Sequence, residues 1–340
     1  MLPSRTALRA AALAMLCATA ACSAPAAPAP PPPPNTPAAP PAPPPPPDPA
    51  SVGANELGDV PVLMYHRITP APTSVYDRTP ADFRGELERL VREDYVPVTA
   101  TEYATGKIDI PAGKHPVVLT FDDGSATQFT VDASGDPAPE SAVGILLSVA
   151  RANPGFRPVA TMYVFNPPFE EPTGRRSLTW LHDNGFEIGN HTLDHPNLGK
   201  VSSEQAQHEI AGMQKIITDA VPGLRVDSLA LPLGMHPDEE ALASDGSADG
   251  VTYHHTSVML VGSNPAPSPF TADFDPANIP RIRSQGPTGE DANYGSTVWL
   301  DKLAADPASR YTSDGDPAKT SAPNSATAQP APSAPNVHRY

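Results

Sequence analysis

Val117-Val118-Leu119-Thr120-Phe121-Asp122-Asp123-Gly124 is an almost unbroken apolar run that stops at two adjacent carboxylates and a glycine. Apolar residues bounded by turn signals suit a strand buried on both faces, as in a parallel sheet. Gly124 lets the chain turn sharply just after the acids. Two carboxylates side by side at such a strand end repel each other and lose water. That is costly unless a cation or a reaction uses them. The same letters also read as a strand followed by a solvated Asp-Asp-Gly turn, because Asp and Gly are ordinary turn residues.

Outward from this segment the chain alternates between strand and helix patterns. Val60 to His66 is an apolar run ending in histidine and predicts a first strand. Thr79-Pro80 reads as a cap and first residue of a helix, with Phe83, Leu87, Leu90 and Val91 on one face. Tyr95 to Thr99 and Val159 to Phe165 predict strands, and Ser141 caps a helix through Ala152. Ser177 to Asn184 reads as helix and leads into a short strand, Phe186 to Gly189. Ser202 with Gln205 forms a capping box for the clearest helix, whose stripe is Ile210, Met213, Ile217 and Val221. Pro222-Gly223 ends it, and strands follow at Ser228 to Leu231 and Ser257 to Val261. Alternation of this kind predicts an α/β fold around a parallel sheet.

After the strand at 186–189 comes Asn190-His191-Thr192-Leu193-Asp194-His195-Pro196. Two histidines four apart can converge on one point, from a helical turn or a tight loop. With the carboxylate pair of the earlier strand they make a metal-site pattern. Here the sequence resembles the polysaccharide deacetylases, carbohydrate esterase family four. The family's Thr-Phe-Asp-Asp motif stands at Thr120 to Asp123. Its His-(Ser/Thr)-x-x-His motif stands at His191 to His195. Gly185 to Asn190 is also similar to the family, and the resemblance runs over about residues 58 to 285.

The resemblance implies a distorted, incomplete (β/α) barrel with its chemistry at the C-terminal ends of strands. It implies a divalent metal held by Asp123, His191 and His195, with Asp122 as general base. Two histidines and a carboxylate suit zinc, with cobalt, nickel and manganese chemically compatible. Thr192 is expected to steady the histidine loop or simply to be solvated. The chain departs from the family at the third motif, Arg-x-Pro-Tyr, which reads Ala230-Leu231-Pro232-Leu233 here. The family's tyrosine serves the oxyanion through its backbone N–H, a role Leu233 can keep. The arginine that pairs with the base is missing. Arg281 or Arg283 could replace it, with plain surface charge as the alternative for both. The family's late strand ending Leu-x-His has no counterpart in Ser257 to Val261. Tyr65-His66 instead resembles the early Tyr-His of exopolysaccharide deacetylases with permuted motif order. His66 is therefore expected to be the general acid, with His254 or His255 as fallbacks and a buried structural histidine as the bland reading.

Composition bounds the rest. The chain has 340 residues, 47 prolines and a formal charge of −16. An acidic chain argues against nucleic acid and against an electrostatic hold on anionic lipid. Both cysteines, Cys17 and Cys22, lie near the N-terminus, so a metal in the folded part must use His, Asp or Glu. Residues 1–21 read as a secretory leader, and Thr19-Ala20-Ala21-Cys22 resembles a lipoprotein cleavage site with Cys22 lipidated. Ordinary cleavage near Ala20 or Ala24 would instead release a secreted protein. Residues 22–57 read as a linker whose Pro/Ala tract spans roughly 80 Å as polyproline II. Residues 58–301 form the expected domain, and 302–340 read from composition as a disordered tail. The chain is expected to be a monomer that removes N-acetyl groups from a cell-surface or cell-wall glycan. A catalytically silent glycan-binding lipoprotein of the same fold is the alternative, and O-deacetylation also stays open.

Overall fold

β3 (His115–Phe121), the strand that ends in the two carboxylates, is buried at all seven positions in the computed structural model, which describes residues 47–340. Burial on both faces explains why its sequence is a run rather than an alternation. β1 (Val62–Tyr65) lies along it in parallel, with Leu63 opposite Leu119. On the other side β2 (Tyr95–Val98) covers the first half of β3 and β4 (Thr161–Val164) the last two residues. The sheet continues in parallel through β5 (Glu187–Asn190), β6 (Ser228–Ala230) and β9 (Ser257–Met259). At the opposite edge β10 (Ile282–Arg283) pairs with β1.

The sheet curls until its edges nearly meet. Ile279 bridges Met259 of β9 in parallel, its N–H donating to the Val258 carbonyl at 3.0 Å. Three residues later Ile282 stands opposite Leu63 of β1. The stretch 279–283 thus touches β9 with its first residue and β1 with its last two. The result is a distorted (β/α) barrel whose seam is a single short segment, and Arg281 sits in it.

Helices cover the outside. α1 (Pro49–Val52) and α3 (Ala100–Ala104) are short. α2 (Pro80–Arg92), α4 (Ala142–Ala152), α5 (Arg175–Asp183), α6 (Ser203–Ala220) and α7 (Ser296–Ala305) are longer. Thr79, Ser141 and Ser202 each accept a hydrogen bond from the backbone N–H three residues on, at 3.0, 3.2 and 3.2 Å. Gln205 closes the capping box on Ser202 N–H at 3.2 Å. α2 buries Phe83, Leu87 and Leu90, each worth roughly 1.5–3 kcal/mol of removed apolar surface. It also buries Glu86, whose carboxylate accepts from the Tyr65 hydroxyl at 2.8 Å, from Ser284 at 2.6 Å and from Ser296. One carboxylate therefore ties α2 to β1, to the residue after β10 and to α7.

Two boundaries differ from the sequence expectation. The folded part begins before residue 58: Asp48 caps α1, and Ala54, Asn55, Glu56 and Leu57 are buried. The stretch 302–340, expected to be disordered, is folded. The Tyr311 N–H donates to Asp59 O at 3.0 Å, Asn55 bridges Thr312, and Ser321 N–H donates to a Glu56 carboxylate oxygen at 2.8 Å. β11 (Thr320–Ala322) pairs in parallel with β12 (Val337–Arg339), and the Tyr340 hydroxyl reaches the Ala54 carbonyl at 2.8 Å. Composition averages over the segment, whereas its burial is concentrated in Tyr311 to Asp314 and Thr320 to Ala322. These few anchors, with backbone hydrogen bonds to 54–59, offset the ordering cost that low hydrophobicity leaves uncovered. A further hairpin, β7 (Asp245–Ala248) with β8 (Val251–His254), turns at Asp249-Gly250, both at positive φ as a tight hairpin requires. The leader, Cys22 and most of the Pro/Ala tract lie outside the described residues.

Candidate active site and metal centre

At the C-terminal end of β3 the two carboxylates part company. Asp122 stays in the barrel, its backbone N–H on the Tyr65 carbonyl at 2.9 Å and its side chain 2 % exposed. Arg281 meets it with a two-pronged ion pair, Nη1 to Oδ1 and Nη2 to Oδ2, both 2.6 Å. The guanidinium is itself fully buried. It also donates to the Leu260 carbonyl at 2.8 Å and to Thr120 Oγ1 at 3.2 Å, and lies over the Tyr163 ring. Burial pushes the Asp122 carboxyl up, but the charge and hydrogen bonds of Arg281, helped by His191, outweigh it and hold it well below the usual carboxylate range.

Asp123 turns the other way. Its φ of 80° is left-handed, and Gly124 follows at 64°. A Cβ on Gly124 would come within 2.9 Å of Val164 Cγ1, so this turn needs glycine for both space and angle. The Asp123 carboxylate faces two imidazoles, its Oδ1 3.5 Å from His191 Nε2 and 3.7 Å from His195 Nε2. His191 leaves the end of β5 with its N–H on the Val164 carbonyl at 3.0 Å. Its Nδ1 lies 2.8 Å from the Ala230 carbonyl, which can only accept. That contact places the ring proton on Nδ1 and leaves the Nε2 lone pair facing Asp123. Thr192 is buried and its Oγ1 accepts from His195 N–H at 3.2 Å, so it braces the loop between the histidines.

The three side chains fit a divalent cation. Ligands about 2.0–2.1 Å from one tetrahedral centre stand about 3.3 Å from each other. The ligand atoms of Asp123, His191 and His195 all lie within 4.8 Å of one another. A bare carboxylate–imidazole hydrogen bond with charge assistance would be shorter than 3.5 Å. The donor set is nitrogen and oxygen, and the other ring nitrogen of His191 is engaged by a carbonyl, as in metal-binding imidazoles generally.

His66 follows β1 and faces this group. With Asp122, Asp123, His191, His195 and Leu233 it lines one cavity of about 200 Å3, together with Tyr76, Leu231 and Val261. Its ring stands 4.8 Å from the Tyr76 ring, and its Nδ1 is buried with no partner among the described residues. Burial lowers its pKa, against the opposing pull of Asp122 and Asp123. Leu233 contributes at φ 58°. Among the described residues ten non-glycine positions have positive φ, and four of them, Asp123, Thr192, His195 and Leu233, belong to this small region. Such backbone costs about 1–2 kcal/mol per residue and clusters where side chains must be aimed.

Other expected residues sit elsewhere. Arg283 does not face Asp122. It donates to Gln285 Oε1 at 2.6 Å and to Glu290 O at 3.1 Å, and lies over Tyr76 in a neighbouring cavity. His254 is exposed beside Asp245, and His255 is buried with Nδ1 on the Ala243 carbonyl at 2.8 Å; neither lines the cavity. Sequence reasoning missed Tyr76, Leu231 and Val261. Val75-Tyr76, an apolar pair inside a polar loop, was the available signal for the first.

Residues 157–249 match the family model described as polysaccharide deacetylase, a span that includes both histidines. Among solved structures the chain is similar to the Streptococcus pyogenes deacetylase PplD in complex with acetate. The identity is 17 %, the TM-score 0.52, and the match covers 72 % of this chain and 97 % of that one. A polysaccharide deacetylase from Bacillus cereus matches at 20 % identity and TM-score 0.51, over 66 % of this chain and 64 % of that one. At these identities the solved structures speak for the fold, and it is the segment 157–249 that carries the likeness to the polysaccharide deacetylase family.

Proposed function

We propose that the chain hydrolyses N-acetyl groups on a cell-surface or cell-wall polysaccharide, with one divalent cation, zinc in our reading, held by Asp123, His191 and His195. The observation that carries this reading is the buried Arg281–Asp122 pair beside the Asp-His-His cluster. When bound, the cation supplies Lewis acidity toward the acetyl carbonyl and the attacking water. Asp122 takes the proton of that water. Arg281 keeps its carboxylate ionised, and each oxygen retains a lone pair beyond the one spent on the guanidinium. The Leu233 backbone N–H donates to the developing oxyanion. His66 gives a proton to the departing amine. Its lowered pKa makes it a better donor and a scarcer one. The silent-binder alternative rested on the arginine missing at Ala230 and the tyrosine missing at Leu233; the pairing of Arg281 with Asp122 answers the first, and for the second the Leu233 backbone N–H remains.

Residues 1–46 extend the proposal to location. A leader, a lipid on Cys22 and a proline-rich spacer would hold the enzyme, as a monomer, outside the cell membrane. Mass spectrometry of the mature N-terminus tests this, and an unmodified terminus starting elsewhere refutes the anchor. Acetate release from N-acetylglucosamine oligomers, with added metal and with chelator, tests the activity. Asp122→Asn should keep the metal and lose about 10²–10⁴-fold in rate. Near-parent acetate release by that variant would reduce Asp122 to a structural carboxylate.

A further inference from the structure

Beside the catalytic cavity lies a second one of about 270 Å3, and the two share Tyr76 and Val261 as a common wall. Met64, Ser263, Arg283, Asp291 and Tyr294 complete it. Neither space is large. A ligand pocket for a drug-sized molecule is about 300–1,000 Å3, so the catalytic cavity admits a group the size of an acetamido arm rather than a length of polymer. The rest of the substrate must lie across the rim, and the second cavity adjoins the first there, along Tyr76 and Val261.

The rim is apolar in an unusual way. Seven large hydrophobic side chains are exposed among the described residues, and four of them, Tyr76, Leu233, Val261 and Tyr294, line these two cavities. Exposed apolar groups that gather in one place, with polar groups between them, mark a binding surface. Tyrosine faces suit the C–H faces of a pyranose ring, while its hydroxyls need polar partners around the edge. Ser263, Arg283 and Asp291 supply those.

The walls are fixed. Tyr76 precedes Asp77, whose buried carboxylate accepts from Arg67 Nε at 3.0 Å, Arg67 Nη2 at 2.6 Å, Thr73 N–H at 2.8 Å and Ser74 N–H at 3.1 Å. That clamp sets the loop, and the His66 ring on one side and the Arg283 guanidinium at 5.1 Å set the tyrosine ring. Arg283 is held in turn by Gln285 and Glu290. Its charge faces Asp291 at 3.8 Å, so the charged lining of the cavity is one cation and one anion.

We propose that this second cavity is a subsite for the sugar next to the one being deacetylated, that it takes an uncharged pyranose ring, and that Tyr294 offers its face to that ring beside the fixed wall of Tyr76. The proposal rests on the deacetylase reading above. It commits the substrate to an oligomer or polymer of neutral amino sugars rather than a free monosaccharide, because binding energy from the neighbouring ring is available only when that ring is present.

Tyr294 is 56 % exposed and can be cut back without opening the core. The full chain, its Tyr294→Ala and its Tyr294→Phe variants are compared by calorimetric binding of tetra-N-acetylchitotetraose and of N-acetylglucosamine, and by kcat/KM for acetate release from both. The parent should prefer the tetramer. Tyr294→Ala should lower tetramer affinity about five- to tenfold, and the tetramer-to-monomer ratio of kcat/KM with it, while Tyr294→Phe keeps both. Equal loss on both sugars, no loss on either, or no tetramer binding by the parent overturns the subsite. Acetate release without a chain-length effect leaves the deacetylase reading standing and removes only the subsite. Tyr294-dependent tetramer binding without acetate release does the reverse.

Discussion

Arg281→Met deletes the guanidinium but keeps a long apolar stem in a fully buried place. Four hydrogen bonds go: two of 2.6 Å to Asp122, one of 2.8 Å to the Leu260 carbonyl and one of 3.2 Å to Thr120. The larger cost is what stays behind. Asp122 would remain buried with no counter-charge, a situation worth about 3–5 kcal/mol. For a domain of this size that is a fall in Tm of about 10 °C. The carboxyl would also lose the influence that opposes its burial, so its pKa would rise and the base would be partly protonated at neutral pH. Acetate release should therefore drop by about 10²–10⁴-fold. Arg281→Lys should recover little, because an ammonium cannot make the two-pronged contact. The double variant Asp122→Asn/Arg281→Met should be more stable than Arg281→Met alone, since the orphaned charge is gone. Thermal and urea unfolding of the parent, Asp122→Asn, Arg281→Met and the double variant give the stability cycle, and coupled acetate detection gives the rates. A destabilisation by Arg281→Met inside the ~0–1 kcal/mol range of a surface pair, with turnover intact, would refute the reasoning.

The His191→Ala/His195→Ala pair should abolish metal binding measured by mass spectrometry of the dialysed protein. About one equivalent retained would remove Asp123, His191 and His195 as the ligand set. His66→Ala should lower kcat on an N-acetylated glycan by about 10²-fold or more, with metal content unchanged; parent-like turnover would return the acid role to another residue. Glu56 should contribute a pH dependence to the folded tail. Burial raises its pKa from 4.5 to about 7, with Asp314 adding to the rise and the Ser321 N–H opposing it. The folded state thus binds the extra proton between those values, so the contribution of Glu56 to stability is fully present below about pH 4.5 and is lost as pH rises through about 7. The fall amounts to about 3 kcal/mol, and Glu56→Gln should flatten it in urea unfolding at pH 5 and pH 8. An unchanged slope in the variant would assign the pH dependence elsewhere.

Much of this was legible in local letters. The strand at 117–121, the capping box at Ser202 and the helix stripes follow from periodicity and from donors that need partners. The ligand candidates were legible because two imidazoles and a carboxylate at strand ends have few cheap structural uses. Residues whose positions depend on distant chain were harder. Arg281 and Arg283 are two residues apart and looked alike, and only the seam of the barrel points one at Asp122 and the other at Tyr76. Glu86 sits on the apolar face of α2 because Tyr65, Ser284 and Ser296 come to it from three other elements. The tail at 302–340 folds on a handful of anchors that an average over composition dilutes.

The seam has a bearing on how the protein is made. Asp122 and Arg281 are 159 residues apart in sequence, and the stave that carries Arg281 joins β9 to β1. During synthesis the first strands emerge and pair long before that stave exists. Throughout that interval Asp122 has no counter-charge, so the upper end of β3 cannot desolvate and must stay loose and wet. Closing a loop of this length is slow, and the reward for closing it arrives all at once. Formation of the Asp122–Arg281 pair and completion of the barrel are therefore one late event. A chain truncated before Ile279 would keep every residue of both motifs and still leave Asp122 without its arginine.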